Sequence, residues 1–357
     1  MAKINQRSGP AATAMLGLGV YRPERVVTND EICEVLDSSD EWIQSRSGIR
    51  TRRYANDEET LVEMATRASR AALEAAGIEA EQLGTVILAT STHAQHTPAA
   101  APIVADQLGS RAAAFDVSAG CAGFCHGVAV GSDLVRGGTA EHVLVVGVDK
   151  LSDFTDPHDR STAFLFADGA GAVVIGPSDE VGIAPTVWGS DGGQADVIRS
   201  KFSWLDVRAG QAPQRLVPDE VAVVAAAEPV GEETPPDDTW PYLEQAGQTV
   251  FRWAVWQMAP VAQRALDAAG ITAADLDVFV AHQANGRIID AMVKQLKLPD
   301  SVHVARDIVE MGNTSAASVP LAMERALADG EAPSGGLALL IGYGAGLSYA
   351  AQVVRLP

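Results

Sequence analysis

Short apolar runs alternate along the chain with amphipathic segments rich in alanine, a pattern that predicts an α/β protein. Apolar runs predict buried strands over 14–20, 85–90, 112–117, 143–148 and 277–281, a turn leading into a strand over 164–175, and a final strand pair around Gly342–Gly346. The helical period predicts helices over 58–76, 99–108, 121–136, 250–269, 286–296 and 315–328. Strands separated by helices imply parallel or mixed sheets that are covered by helices.

One segment of this pattern occurs twice. Ala72–Leu83 returns as Ala265–Leu276, 193 positions later, and each copy continues into an apolar run. A match at a fixed offset is typical of a duplicated unit. We therefore predict two similar halves, 14–180 and 181–357, that face each other, and we expect the chemistry at their seam.

The segment 205–241 does not fit either half. It is rich in proline, glycine and acidic residues, which indicates a long surface excursion and not a core element. Val221–Val230 is apolar, so this part could pack down as a hairpin or a short helix.

Composition narrows the class of protein. The 357 residues are 47% hydrophobic and 20% charged, as in ordinary globular proteins, and the formal charge of −20 argues against a general nucleic-acid binder. We expect neither a signal peptide nor a membrane span, because no apolar stretch has the required length. The three cysteines make no disulfide framework, which favours a reducing cytoplasm. An acidic chain that receives an acidic partner must also keep a local basic surface.

Cys121 stands where a predicted strand gives way to a helix. The free N–H groups of a helix N-terminus favour thiolate, so we expect the pKa of this thiol to be lowered. Two other interpretations stay open. Cys121 could be a small buried core residue, as we expect for Cys125, or it could bind a metal together with Cys125 and His126, although a second ligand pair is lacking.

The repeat connects Cys121 to two further polar residues. Shifting Cys121 by 193 positions gives Thr314, which is next to Asn313 in another small-residue loop that enters a helix. His282 follows the repeated strand, and open α/β sheets bind ligands at those strand ends. His282 alone could be structural, but the sequence predicts that Cys121, His282 and Asn313 meet at the seam.

Several segments together resemble a known family. They are Ser39–Arg50, Asp116–Phe124, Asp156–Arg160, Phe166–Gly171, His282–Asn285 and Gly312–Ser318. These motifs, in this order, look like β-ketoacyl-acyl carrier protein synthase III of the thiolase superfamily. The resemblance covers nearly the whole chain except the first dozen residues and the 205–241 excursion.

The resemblance implies a duplicated, thiolase-like five-layer αβαβα fold, a homodimer and a decarboxylative Claisen condensation. Cys121 would take an acyl group from acyl-CoA, and malonyl-acyl carrier protein would lose carbon dioxide and attack that thioester. His282 and Asn313 would donate hydrogen bonds to the enolate, and the backbone N–H groups of Cys121, Gly344 and Ala345 would form a second oxyanion site. The reaction would require no metal and no redox cofactor.

Other positions match the family's binding residues. The resemblance assigns coenzyme A or pantetheine contacts to Trp42, Arg46, Arg160, Gly247 and Asn285, the acyl pocket to Thr97, Phe251 and Tyr343, and carrier-protein docking to Arg287, Lys294 and Lys297. The small Thr97 would leave room for acyl groups larger than acetyl. The last three residues also fall on one face of a regular helix. For the aromatic and basic residues, ordinary surface positions are the alternative interpretation.

Related enzyme classes can be separated on the same residues. Thiolases resemble this chain but need a second catalytic cysteine, and none follows Cys125. Elongating ketosynthases carry histidine where this chain has Asn313, whereas chalcone-synthase-like enzymes share the Cys-His-Asn set. Three alternatives stay open: priming of a polyketide, acyl transfer to a small acceptor, and a scaffold without activity. Asn313 argues against acyl transfer to a small acceptor, and the presence of Cys121 and His282 argues against a scaffold.

Overall fold

The computed structural model describes residues 4, 5, 7–209 and 240–357. The strands are β1 Ala12–Tyr21, β2 Arg25–Thr28, β3 Thr51–Tyr54, β4 Leu83–Ala89, β5 Ala113–Val117, β6 His142–Lys150, β7 Asp168–Ser178, β8 Val187–Ser190, β9 Ile198–Ser200, β10 Leu243–Gln245, β11 Val278–Ala281, β12 His303–Val304, β13 Leu337–Gly344 and β14 Ser348–Arg355. The α-helices are α1 Asn29–Cys33, α2 Asp40–Ser47, α3 Leu61–Ala76, α4 Ala100–Gln107, α5 Gly123–Arg136, α6 Trp204–Ala209, α7 Gly247–Ala269, α8 Gly286–Leu296, α9 Ile308–Met311 and α10 Ser318–Ala328.

Two five-stranded sheets of the same topology form the framework. The first has the order β1-β7-β6-β4-β5, and the second, counted from β8, has the order β8-β14-β13-β11-β12. In each sheet the repeated strand, β4 or β11, runs parallel to both of its neighbours, and the remaining pairs are antiparallel. The first sheet takes its strands from residues 12–178 and the second from 187–355. The exact division at 180–181 stays a prediction.

Alternation along the central strands divides the core into layers. Val145 of β6 packs with Phe124 of α5 and Val319 of α10, in a cluster that also includes residues of the second sheet. The neighbouring Val146 faces the opposite way and packs with α3 and α4. On the second sheet, Phe279 packs with α7 and α8. The order of layers is therefore helix, sheet, helix, sheet, helix, which confirms the predicted five-layer fold.

The 193-residue offset holds for the first part of the repeat and then changes. Both repeated helices end at a glycine in the left-handed conformation, Gly77 with φ 65° and Gly270 with φ 71°. The central helices, however, begin at Gly123 and Ser318, which are 195 positions apart. The prediction that Thr314 is the counterpart of Cys121 was therefore wrong. Since the connection is two residues longer in the second half, the counterpart is Ala316.

Each half inserts a short 3₁₀ turn against the central strand of the other half. A Cβ atom on Gly147 of β6 would clash with the carbonyl oxygen of Ala316, in the turn Ser315–Ala317. A Cβ atom on Gly342 of β13 would lie 3.0 Å from Cα of Ala122, in the turn that carries Cys121. These two glycines allow the close approach that brings the two turns together at the seam.

The excursion at 205–241 lies largely outside the described residues, and Val221–Val230 lies wholly outside them. Its described ends leave from β9 and return to β10, which pair antiparallel in a sheet of two strands. Trp240 donates from Nε1 to the Asp153 carbonyl over 2.8 Å. Across the described ranges, none of the helices combines the length and apolar character that a bilayer span requires.

Candidate active site

A cavity of about 450 Å³ opens at the seam, and all three predicted catalytic residues line it. Its walls come from both halves and from the β9–β10 pair. The lining includes Arg46, Cys121, Phe164, Phe166, Gly247, Phe251, Arg252, His282, Asn285, Arg287, Asn313, Tyr343 and Gly344. The lining is mostly apolar with a few polar groups, as is usual for small-molecule sites.

Cys121 lies in the 3₁₀ turn Gly120–Ala122 that leads from β5 into α5. Gly120 adopts φ 51°, a conformation that glycine accepts readily. A Cβ atom on Gly344 would lie 2.9 Å from the Cys121 Sγ, so glycine is needed for the β13 backbone to approach the sulfur. The backbone N–H groups of Cys121 and Ala345 act on the thiol to lower its pKa.

The expected lowering of the thiol pKa was wrong. Burial raises the pKa of Cys121 to about 11, and hydrogen bonds from the Ser315 side chain and from the two backbone N–H groups oppose this increase only in part. The position of Cys121 just before the N-terminus of α5 does not compensate for the lost hydration. Cys125 lies one turn further along, is fully buried, and has a pKa raised to about 12 by the same cause.

His282 follows β11 directly and is buried. Its Nδ1 lies 2.6 Å from the Ser318 hydroxyl, and that hydroxyl also accepts a hydrogen bond from the Gln283 N–H. The Tyr343 ring packs edge-on against the imidazole at a centroid distance of 5.2 Å. Burial lowers the pKa of His282 to about 3, so the ring is neutral at physiological pH.

Asn313 is fixed by backbone bonds to the first half. Its N–H donates to the Leu165 carbonyl over 2.8 Å, and its carbonyl accepts from the Ala167 N–H over 2.9 Å. The side-chain Oδ1 accepts from the Ser315 N–H over 2.9 Å. With the amide oxygen held in this way, the NH₂ group is the part of the side chain that is available to a ligand.

Asp149, a residue not predicted from the sequence, connects the two halves behind the site. This fully buried carboxylate accepts hydrogen bonds from Thr90, Ser91 and Thr92, and its other oxygen lies 3.2 Å from the Ala316 nitrogen as an acceptor. Ala316 belongs to the turn that follows Asn313. Asp149 is therefore a positioning residue for that turn, and its place at the end of the apolar run 143–148 was the available signal.

Three of the predicted coenzyme A contacts, Arg46, Gly247 and Asn285, line the cavity, and the other two, Trp42 and Arg160, group with Arg46. The half-buried Trp42 has two guanidinium groups near its ring, Arg160 at 4.9 Å and Arg46 at 5.8 Å from the centroid. Asn285 lines the mouth and donates from Nδ2 to the Arg46 carbonyl over 3.0 Å. Arg252, at the start of α7, also lines the cavity and was not predicted. The sequence does not indicate it, because an exposed arginine on a helix has no motif of its own.

Two of the predicted positions differ in the structure. Thr97 is exposed and does not line the cavity of this chain, because its loop ends at α4, whose first N–H groups bond to Asp116 on the edge strand β5. Lys297 lies beyond α8, in the left-handed conformation with φ 51°. Arg287 and Lys294 therefore share one face of α8, as predicted, but Lys297 does not belong to that face, although all three are exposed.

The two other acyl-pocket residues, Phe251 and Tyr343, do line the cavity, and the Arg287 guanidinium lies 5.3 Å from the Phe251 ring centroid. His126 is not part of a metal site with the cysteines. Its Nδ1 lies 3.0 Å from the Ala122 carbonyl and its ring stacks on Trp188. Among the described residues, no three His, Cys, Asp or Glu side chains are placed to hold a metal ion.

Comparisons with known proteins agree with this geometry. The sequence model of 3-oxoacyl-[acyl-carrier-protein] synthase III matches residues 115–192, and the model of its C-terminal part matches residues 266–356. The chain is 56% identical over 358 residues to the β-ketoacyl-[acyl-carrier-protein] synthase III of Streptomyces glaucescens, with all of both chains covered. It is 51% identical over 359 residues to the mycobacterial enzyme of that name from Mycobacterium avium (strain 104), with 100% of this chain and 99% of the relative covered.

Solved structures show the same fold. The priming β-ketosynthase of the R1128 polyketide pathway superposes with a TM-score of 0.89 at 43% identity, covering 100% of this chain and 99% of that one. The 3-oxoacyl-[acyl-carrier-protein] synthase III of Aquifex aeolicus VF5 superposes with a TM-score of 0.82 at 34% identity, covering 96% and 100%. Full-length identity above 50%, together with the shared fold, identifies this chain as a member of the β-ketoacyl-[acyl-carrier-protein] synthase III family of acyl-transferring condensing enzymes.

Proposed function

We propose that this chain starts fatty acid synthesis by a two-step condensation in the cavity at the seam. Acyl-CoA first loads its acyl group on Cys121, and malonyl-acyl carrier protein then condenses with it to give 3-oxoacyl-acyl carrier protein. The observation that carries the proposal is the convergence of Cys121, His282 and Asn313 on one cavity whose mouth is lined by arginines.

In the first step, the thiolate of Cys121 attacks the thioester carbonyl and coenzyme A leaves as its thiol, taking up the proton that Cys121 loses. The backbone N–H groups of Cys121 and Ala345 act on the sulfur and lower its pKa. They are therefore close to where the carbonyl oxygen of the tetrahedral intermediate develops its charge. Each such donor typically contributes about 3 kcal/mol to stabilising an oxyanion.

In the second step, the malonyl group loses carbon dioxide, and the electron pair of the broken bond forms an enolate on the thioester. His282 is neutral, so it acts as a hydrogen-bond donor and not as a cation. We infer that Ser318 donates its proton to Nδ1, which leaves the proton of the imidazole on Nε2, facing the cavity. With the Asn313 amide it supplies two donors to the enolate oxygen. The enolate carbon then attacks the acyl-Cys121 carbonyl, and the Cys121 thiolate leaves.

The residues around the cavity mouth suit the binding of coenzyme A and of the carrier protein. The Trp42 ring and the guanidinium groups of Arg46 and Arg160 suit an adenine ring and phosphates. Gly247 and Asn285 line the same cavity as Cys121, where a pantetheine arm would pass. Arg252, Arg287 and Lys294 are exposed beside the mouth and offer an acidic carrier protein a basic landing surface.

A homodimer is part of the proposal. Strand β5 is an edge of the first sheet, with Ala113 exposed and Phe115 39% exposed. An open edge with an exposed aromatic side chain favours pairing with another strand. Pairing of β5 with its copy would cover this edge and would bring the partner subunit close to the Thr97 loop.

The proposal also covers the cofactors of the reaction and the cellular compartment. We expect it to need no metal or redox cofactor, because a thiol nucleophile and two sets of hydrogen-bond donors account for both steps. The three cysteines are free thiols, which suits a reducing cytoplasm.

The decisive experiment uses a panel of acyl-CoAs, short, branched and longer, and records by intact mass which group is added to the protein. Malonyl-acyl carrier protein is then added and the 3-oxoacyl product is measured. Cys121→Ala should show no stable acylation. Stable acylation of this variant, or loading of the wild-type protein without condensation, would contradict the proposal.

Priming of a polyketide is the second candidate, since one structural relative is a priming ketosynthase. The two pathways use the same chemistry on this chain and differ in the carrier protein. Comparing condensation rates with a fatty acid carrier and with a polyketide carrier therefore distinguishes them.

A further inference from the structure

Trp256 is an unusually exposed aromatic residue. Its exposure is 69%, higher than that of any other tryptophan or phenylalanine in the described part of the chain. Other exposed tryptophans have aromatic neighbours: Trp188 stacks on His126, and Trp204 contacts Trp240. Among the described residues, no aromatic or cation–π contact covers the Trp256 ring.

The position of Trp256 links it to the mouth of the cavity. Arg252, which lines the cavity, precedes it on α7 by four residues, so the two side chains lie on the same face of the helix. Gln295 of α8 donates from Nε2 to the Val255 carbonyl over 2.8 Å. This bond places the end of α8 that carries Lys294 alongside the part of α7 that carries Trp256.

Two basic side chains lie near Trp256 in a strongly acidic chain: Arg252 is one turn away on α7, and Lys294 is on the adjoining end of α8. Within residues 4, 5, 7–209 and 240–357, no carboxylate forms an ion pair with Arg252, Arg287 or Lys294, although the formal charge of the chain is −20. An exposed indole near cations that lack a carboxylate partner is the composition of an interface, in which an aromatic anchor lies within a charged rim.

We propose that Trp256 is the apolar anchor of the carrier-protein docking surface. The indole packs on an apolar patch of the acidic carrier, while Arg252, Arg287 and Lys294 pair with its carboxylates and its thioester arm enters the cavity. The cations guide the approach, and the ring supplies contact that salt does not screen. The inference rests on the proposed function, because it takes malonyl-acyl carrier protein as the occupant.

The test compares Trp256→Gln with the wild-type protein in three reactions. The KM for malonyl-acyl carrier protein should increase about tenfold with little change in kcat, as for loss of an interface anchor. Acylation of Cys121 by acyl-CoA should be unchanged, and so should condensation with malonyl-pantetheine, which has no carrier protein. The increase in KM should persist in 0.5 M salt, whereas the increase caused by Arg252→Glu should be largest at low salt.

The matched control is Gln257→Ala. Gln257 is exposed at the next position of α7, and its substitution should leave the rates of all three reactions unaltered. An unchanged KM in Trp256→Gln, with the wild-type protein active, would overturn the anchor and leave the proposed function intact. If sedimentation showed that Trp256→Gln dissociates an oligomer, the ring would serve a second copy of the chain and the proposal would fail. No condensation by the wild-type protein would instead reject the proposed function.

Discussion

Cys121 and His282 line the same cavity, and burial shifts both of them toward their neutral forms. The pKa of the thiol is raised to about 11 and that of the imidazole is lowered to about 3. The resting site therefore holds a thiol and a neutral ring, without the ion pair that many cysteine enzymes use. At the scale of single residues, the reactivity of Cys121 depends on hydrogen bonds that appear or strengthen as charge develops.

The raised thiol pKa predicts the pH dependence of alkylation. Because only thiolate reacts and its fraction grows tenfold per pH unit below the pKa, the rate of Cys121 alkylation by iodoacetamide should increase about tenfold per unit from pH 7 to 10. Peptide mass spectrometry of the Cys121 peptide separates it from Cys33. A rate that levels off below pH 8 would show that the thiol is acidic after all.

Because the two oxyanion sites serve different steps, substitutions at one site should affect one step and spare the other. His282→Ala and Asn313→Ala should still be acylated by acyl-CoA, because enolate charge arises only in the second step. Both should lose about a hundredfold or more in malonyl decarboxylation, the usual effect of removing one such donor. Decarboxylation can be followed with carboxyl-labelled malonyl-acyl carrier protein. Unchanged condensation in both variants would refute these roles.

The neutral His282 also predicts a flat pH profile. A histidine that worked as a cation would lose activity as pH rises through about 6.5, its ordinary pKa. With the pKa lowered to about 3, the decarboxylation rate of pre-acylated enzyme should show no ionisation between pH 5 and 8. A decline centred near pH 6.5 would indicate that the imidazolium is the active form.

At the scale of elements, the site depends on two 3₁₀ turns that cross the seam. The turn Gly120–Ala122 packs on β13 and the turn Ser315–Ala317 packs on β6, with Gly342 and Gly147 at the two contacts. Asp149 holds the second turn from behind. The spacing of the catalytic groups is therefore set by backbone contacts between the halves.

Gly147→Ala tests the seam. Its Cβ would meet the Ala316 carbonyl, which is backbone and cannot rotate away, so the turn after Asn313 must shift. Thermal or urea unfolding should show a loss of about 1–3 kcal/mol in the free energy of unfolding, as for an overpacked core. Decarboxylation should fall more than acylation. Gly77→Ala is a control. A Cβ at this position meets no atom within 4 Å, so the substitution should lower stability through its positive φ without a steric clash.

The elements that the sequence predicted well are those with a clear apolar periodicity. The helix 286–296 and the strand 277–281 were predicted almost to the residue, because their apolar periods are strong. The two-residue change in the repeat offset was not predicted. An insertion in a loop does not alter the apolar periodicity of the elements on either side of it. The Cys121 pKa was predicted in the wrong direction, because a helix N-terminus can be read from sequence whereas the surrounding desolvation cannot.

At the scale of the whole molecule, charge is unevenly distributed. The chain carries −20 overall, yet Arg46, Arg252 and Arg287 line a single cavity, and Lys294 lies two turns from Arg287 on the same face of α8. A local basic surface on an acidic protein attracts acidic partners to one place and repels them elsewhere. Neither Arg252 nor Trp256 could be assigned from sequence, because the approach of α7 to α8 is a tertiary contact.

Charge reversal tests this surface. The double variant Arg287→Glu and Lys294→Glu should raise the KM for malonyl-acyl carrier protein roughly tenfold or more at low salt. The wild-type KM should itself rise with salt, as the charges are screened. Cys121 acylation is the internal control and should change much less. Equal loss in both steps, or a wild-type KM independent of salt, would contradict docking at this surface.

The crossed turns at the seam also have a consequence for biosynthesis. About 220 residues separate Cys121 from Gly344, which at 5–20 residues per second corresponds to roughly 10–45 s of translation. Throughout that interval the nascent first half carries its nucleophile without the opposite wall of the cavity and without the Ala345 N–H. A ribosome-bound first half thus has a thiol but no active site, and the capacity to be acylated arises only when the second half has been synthesised and has docked.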